Sequence, residues 1–270
     1  MNNYVGLIII SHQTFGKISI EEIFDALPKK WKDLDRRVME IKPIMKELGD
    51  EAGIDWKSVA HQQTSIWKDS VHPVIKSNPG FGVVYFGMAH IPLAIHLGHL
   101  MGSAQNCEVF QKHHESNQWV YNSSSAKFPA FESTGNPKEE LVAEGEVSLR
   151  FSTHYSIEKA DVENFPDPLV AHIYKKAKNS ELDSFTSHSG SQKVGIEFRD
   201  VLDSVKNNLP NVSKIHLFTA VPVGAALMMG KQISPTIHHD KEIQLYNYQE
   251  GSYWLFRSDH ATHFGLSMPL

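Results

Sequence analysis

The sequence predicts an α/β fold of two like-built halves fused in one chain, and two observations carry that expectation. The first is KIHLFTAVPVGAALMMGK, Lys214 to Lys231, where a buried-strand pattern (Ile215, His216, Leu217, Phe218) turns at Thr219-Ala220-Val221-Pro222 into a helix of small residues. Pro222 suits a first helical turn, where a missing N–H costs nothing, and Gly224, Ala225, Ala226 and Gly230 let the helix lie close on the sheet. The second is its echo, GFGVVYFGMAHIPLAIHLGHL, Gly80 to Leu100, with a strand at Val83 to Phe86 and a helix opening at His90-Ile91-Pro92. Phe86 and Gly98 are spaced as Phe218 and Gly230 are. An aromatic-rich apolar run follows each unit, Val109 to Tyr121 and Ile243 to Arg257.

In chain order, Val5 to Ile10 reads as the first strand and enters a polar turn, Ser11 to Gly16. Ser19-Ile20-Glu21-Glu22 then fits a capping box, with Ile18 and Ile23 as its hydrophobic staple. Trp31, Leu34, Val38, Ile41, Met45 and Leu48 recur at helical spacing, broken or kinked at Pro43, and Asp55 to Trp67 reads as another helix. Trp31, Trp56 and Trp67 are expected in packing positions. Asn106 to Tyr121 predicts one or two strands. The Ser, Pro, Gly and Asn content of Ser123 to Lys138 places the division between halves there, giving 1–135 and 136–270. In Glu146 to Thr153, Val147, Leu149 and Phe151 alternate with polar residues as in a half-buried strand, and a second polar turn, Thr153-His154-Tyr155-Ser156, follows. Leu169 to Tyr174 suits an edge strand. Ile196, Phe198, Val201, Leu202, Val205 and Leu209 give a helix stopped by Pro210. Each half thus has two strand-to-turn junctions, and open α/β sheets bind ligands at such carboxyl ends.

Composition narrows the function. A net charge of −5 with 41% apolar residues describes an ordinary globular chain without the basic excess of a duplex-binding surface. One cysteine, Cys107, excludes an internal disulfide and fits a cytoplasmic location. The apolar start is too short for a membrane span and lacks a signal-peptide pattern, so no direct membrane insertion is expected. Gly224 to Lys231 has the wrong glycine spacing for a phosphate loop, and Gln232 stands where Ser or Thr would hold magnesium. His113-His114-Glu115 and His238-His239-Asp240 resemble metal clusters, but neighbours in a strand point to opposite faces, and His260 with His263 offers too few ligands. No metal, no cofactor and no catalytic nucleophile is expected.

The two echoes together resemble the SAVED domain, the cyclic-oligonucleotide sensor of bacterial antiphage (CBASS) signalling. The likeness rests on VVYFGMAHIPLAIHLGHL with FQKHHESNQWVY in the first half, and on EVSLRFSTHYSI, KIHLFTAVPVGAALMMGK and QLYNYQEGSYW in the second. It implies two fused Rossmann-like (CARF-like) halves related by pseudo-twofold symmetry, together one SAVED module. It further implies a non-enzymatic receptor that binds a cyclic di-, tri- or tetranucleotide between the halves, then self-assembles head to tail to activate an effector. Most family members carry an effector domain in the same chain. This sequence shows none, so the effector is expected on a separate polypeptide, or this chain is the sensor part of something longer.

Within that resemblance the turns Gly87-Met88-Ala89-His90 and Thr219-Ala220-Val221-Pro222 are expected to aim N–H groups at phosphate or ribose oxygens. Ser11, His12, Gln13, Thr153 and His154 would add hydroxyl, amide and imidazole groups. Trp119, Tyr246, Tyr248 and Trp254 are candidate stacking platforms, and Lys112, Lys231 and Arg257 candidate phosphate partners. Two alternatives compete: a ring nuclease using His12, His90 or His154 as base, and a scaffold for a separate effector.

Overall fold

A computed structural model describes residues 4–45, 54–121, 127–136, 144–159, 162, 169–234, 236–237 and 241–247 with their side chains. For 248–249, 252–254, 257–258, 262–263 and 266–268 it describes the strand backbone alone. The first half comprises β1 (Gly6–Gln13), α1 (Ile20–Ala26), β2 (Asp35–Ile41), α2 (Trp56–Ile66), α3 (His72–Ser77), β3 (Phe81–Met88), α4 (Ile91–Met101), β4 (Glu108–Lys112) and β5 (Trp119–Val120). The second holds β6 (Phe131–Thr134), β7 (Gly145–Ser152), β8 (Leu169–Ala177), α5 (His188–Asn208), β9 (Val212–Ala220), α6 (Val223–Gln232) and β10 (Glu242–Leu245). Five short strands follow: β11 (Asn247–Gln249), β12 (Ser252–Trp254), β13 (Arg257–Ser258), β14 (Thr262–His263) and β15 (Leu266–Met268).

The duplication is visible in the topology. One sheet runs β2-β1-β3-β4-β5 and the other β15-β10-β9-β7-β8-β6, so β2-β1-β3-β4 and β8-β7-β9-β10 share one parallel order. Two Rossmann-like halves are therefore fused here. Stacked ring pairs repeat as well: Phe86 on Phe110 at 4.5 Å, and Phe218 on Tyr246 at 4.4 Å, each with 14° between planes.

The halves meet through α4 and α6, and neither completes its core alone. Leu93, Ala94 and Ile95 of α4 join the apolar cluster of the second sheet, while Leu227 and Met228 of α6 join that of the first. Close approach is possible because each helix offers a glycine at the crossing. A Cβ on Gly98 would overlap the Leu227 carbonyl and lie 3.0 Å from Lys231 N; one on Gly230 would overlap the Ile95 carbonyl and lie 3.0 Å from His99 N. Ile95 with Leu227 and His99 with Lys231 are separated in sequence as Gly98 and Gly230 are, which is what a local twofold requires.

Several expectations hold and several need correction. Ser19 caps α1 with its box complete, and Trp31, Trp56 and Trp67 are buried. Asp55 caps α2, which passes through a π-helical turn at Trp67–Val71 into α3. The helix expected over Trp31 to Leu48 is instead a turn at Lys29–Trp31 followed by strand β2. Leu34 and Val38 face one apolar cluster, Met39 and Ile41 the opposite one, so strand alternation prevails once β1 supplies a partner. Leu48 lies outside the described residues. β7 is buried on both faces from Val147 onward, because Ile157, Val162, Phe218 and Tyr246 cover the face expected to meet solvent. Its Arg150 donates to Ile157 O at 2.9 Å and lies over Tyr174. β8 is an interior strand between β7 and β6. β6, which lies ahead of the expected 135/136 division, pairs with β8 of the second sheet. Pro222 stands at the N-cap of α6 rather than inside its first turn, and α5 starts at His188, well ahead of Ile196.

Candidate functional site

At the carboxyl ends of β7, β9 and β10 lies a cavity of about 690 Å³, within the range of small-molecule sites. The second half supplies Thr153 to Ser156, Thr219 to Pro222 and Asn247, with Leu182, Asp183 and Thr186 from the loop before α5. The first half closes the opposite side with Gln111, Lys112 and His114 from the end of β4, and Ile91 from the first turn of α4. The cavity thus touches both halves, but it sits on the second half's strand ends.

A single exchange in the repeat explains part of this asymmetry. Thr14 N–H donates to Met88 O and Thr153 N–H to Ala220 O, both at 3.0 Å, so the two turns start alike. In the first half the Thr14 hydroxyl accepts from His90 N–H at 2.8 Å and is hydrogen-bonded to His90 Nδ1 at 2.7 Å. The His90 ring packs edge-on against Trp56 and Phe15. Pro222 occupies the position matching His90 and has no N–H to give. The Thr153 hydroxyl turns to Ala220 O instead, at 3.3 Å, and His154 donates through Nδ1 to Ser180 O at 2.7 Å. Nε2 of His154 is left as that ring's acceptor.

Charge in the cavity is local. Lys112 Nζ meets Glu22 Oε1 at 3.2 Å and lies 5.6 Å from the centre of the Trp119 ring. The Ser19 backbone N–H, and then Lys112, hold the Glu22 carboxyl below its ordinary pKa. Asp183 is engaged through both oxygens: His113 Nδ1 at 3.2 Å, the His114 N–H at 3.1 Å and the Thr186 hydroxyl at 3.0 Å. It fastens the β4 loop to the loop before α5. Gln111 Oε1 accepts from Gly224 N–H at 2.6 Å and so joins β4 to the start of α6.

Of the residues singled out in the sequence, Lys112, Thr153, His154, Thr219, Ala220, Val221 and Pro222 line the cavity. The others are not brought to it. Ser11, His12, Gln13, Gly87 and Ala89 are buried, Gln13 bonding Ser11 and His12 bonding the Tyr85 hydroxyl. Met88 and His90 belong to the turn fastened on itself. Trp119 packs edge-on against Phe86. Lys231 reaches away to cap the end of α4 through the Gly102 and Gln105 carbonyls. Tyr246 is buried on Phe218 with its hydroxyl 2.7 Å from His216 Nδ1. The side chains of Tyr248, Trp254 and Arg257 lie outside the described residues, as do His238, His239 and Asp240. Among the described residues no three metal-ligating side chains gather, and no helix is long and apolar enough to cross a membrane. Sequence reading missed Gln111 and Asn247, each adjacent to a residue it chose. It also missed Asp183 and Thr186, whose loop carries no motif.

Buried histidines set a pH dependence. Burial lowers His12 to about 3, with Gln63 opposing and the neighbouring His96 and His90 assisting, and burial lowers His90 and His96 each to about 4. The unfolded chain therefore takes up protons first as pH falls, so stability is complete above about pH 6.5 and declines toward pH 4. The expected slope is on the order of 1 kcal/mol per pH unit for each of His12 and His96. Thermal melts from pH 8 to pH 4.5 check this, and a midpoint constant across that range would refute it.

Comparison with known proteins places this geometry in context. A family model described as "SMODS-associated and fused to various effectors sensor domain", SAVED, matches residues 66–256. Among solved structures the chain is similar to the Acinetobacter baumannii Cap4 SAVED/CARF-domain containing receptor with the cyclic trinucleotide 2'3'3'-cAAA. The TM-score is 0.52 at 14% identity, covering 93% of this chain and 50% of that one. The same receptor with 3'3'3'-cAAA gives 0.51 at 16% identity, covering 85% and 49%. The chain spans about half the length of those receptors, and the likeness is one of fold. No curated protein matches the sequence.

Proposed function

The chain belongs to the SAVED family of sensor domains, and from that premise we propose that it is a cyclic-oligonucleotide receptor of bacterial antiphage (CBASS) signalling. The observation that carries the reading is the cavity walled by both halves, so that one small ligand touches the two repeats at once. A cyclic oligonucleotide bears one negative charge per nucleotide, whereas the chain is net acidic at −5, so recognition relies on local donors rather than on the overall field. Lys112 supplies the cation. Ligand contact with both halves favours one arrangement of the α4–α6 crossing over others, which is the thermodynamic requirement for a sensor. In this reading the occupied state assembles head to tail and activates an effector on another polypeptide or another part of the same one. The similar Cap4 structures, described as receptors with cyclic trinucleotides, support the ligand class.

Calorimetry against a panel of synthetic cyclic di-, tri- and tetranucleotides is the test. At least one ring is expected to bind with a Kd below roughly 10 μM. A panel without such a ring rejects the receptor.

One observation favours a second reading, slow opening of the ring. Of the three candidate bases, His154 alone lines the cavity, with its Nδ1–H fixed on Ser180 and Nε2 left to accept a proton. His12 and His90 are held neutral by burial and stand away from it. Chromatography of a ring incubated with the protein separates the readings: intact ring supports the receptor, and a linear product the enzyme.

A further inference from the structure

Gln111 and Asn247 occupy the same place in the two repeats. Gln111 follows Phe110, which stacks on Phe86, and Asn247 follows Tyr246, which stacks on Phe218 in the same geometry. Both amides line the one cavity, and each residue is only 8% exposed. A buried amide held for structural reasons has its donors and acceptor satisfied. Here Gln111 makes one side-chain bond, and Asn247 makes none among the described residues.

The Gln111 bond fixes its orientation. Gly224 N–H is a donor, so the atom facing it is Oε1, and Nε2 with its two hydrogens is the part left for the cavity. Asn247 keeps both a donor and an acceptor. An amide with both free closes two hydrogen bonds on the adenine edge, accepting from the amino group and donating to the neighbouring ring nitrogen. A donor without a free partner suits a phosphate or ribose oxygen. We propose that these two amides are the specificity pair of the cavity: Asn247 reads one adenine-type base edge, while Gln111, oriented by α6, donates to an oxygen of the same ligand. The proposal rests on the cyclic-oligonucleotide reading and goes further by naming the base pattern and the residues that read it.

The test uses the full chain with two probes, cyclic triadenylate and the same ring with purine in place of adenine, which lacks the amino group. Wild type is expected to bind the triadenylate about tenfold more tightly or better. In Asn247→Leu that preference is expected to vanish, because the group that senses the amino substituent has gone. Gln111→Glu keeps an oxygen for Gly224 N–H and removes the donors, so its melting temperature should hold while affinity for both probes falls about tenfold or more. Equal binding of the two probes by wild type overturns the assignment even if a variant fails to fold. So does a preference that survives in Asn247→Leu. Gln111→Glu with unchanged affinity removes Gln111 from the pair. A wild type that binds another ring of the panel but not triadenylate overturns the adenine edge alone, whereas one that binds no ring at all rejects the receptor reading beneath it.

Discussion

Gly230→Ala is expected to lower the stability of the folded chain by about 3 kcal/mol or more, at the upper end of what overpacking costs. Overpacked sites usually relax by turning a side chain, and this one has none to turn. The atom in the way is the backbone carbonyl oxygen of Ile95, inside α4, with His99 N at 3.0 Å behind it. Accommodating a methyl group means moving one helix off the other, and the two helices carry Leu93, Ile95, Leu227 and Met228 into the cores of opposite halves. Separation opens both cores together. Gly98→Ala meets the Leu227 carbonyl in the same way, so a comparable loss is expected from either side of the local twofold. Thermal denaturation reads this as a fall of roughly 6 °C or more. A change within about 1 °C in both variants would mean that the helices do not cross as closely as described.

Lys112→Glu is expected to weaken ring binding by at least about a hundredfold, corresponding to about 2.7 kcal/mol. The substitution removes a cation from the cavity wall and sets a second carboxylate beside Glu22, 3.2 Å from where the ammonium stood. Phosphates entering the site then meet two negative charges where one paired cation was available. The Glu22 contact yields a prediction of opposite sign. Glu22→Gln keeps a capping-box acceptor for the Ser19 N–H but releases Lys112 from its ion pair, so affinity should rise a few-fold, up to about fivefold for a partly exposed pair. Titrations at two salt concentrations check both, since the Lys112 contribution should shrink as salt rises. A Lys112→Glu variant that binds as wild type does would take this lysine out of the site.

What could be read in advance divides along a physical line. The strand-turn-helix units at Phe81 to Met101 and Val212 to Gln232 are written locally, in runs of buried residues, a proline near each helix start and small residues along it. Their spacing, Phe86 to Gly98 and Phe218 to Gly230, recorded the duplication, and the Ser19 box recorded the start of α1. Strand β2 could not be recovered in the same way. Leu34, Val38 and Ile41 suit either period, and only pairing with β1 selects the strand.

The cavity was legible by half. Strand ends in both repeats were expected to face the ligand; those of the second line the cavity, whereas the equivalent turn of the first closes on itself. The determinant, His90 against Pro222, was present in the sequence, but its effect depends on where the Thr14 and Thr153 hydroxyls find partners. By itself the sequence determined that this protein is a duplicated α/β chain, because periodicity and turn chemistry act between near neighbours. Only the tertiary structure decided which repeat stays open, and that Gln111 and Asn247 share one cavity, because hydrogen-bond satisfaction is settled between residues far apart in the chain.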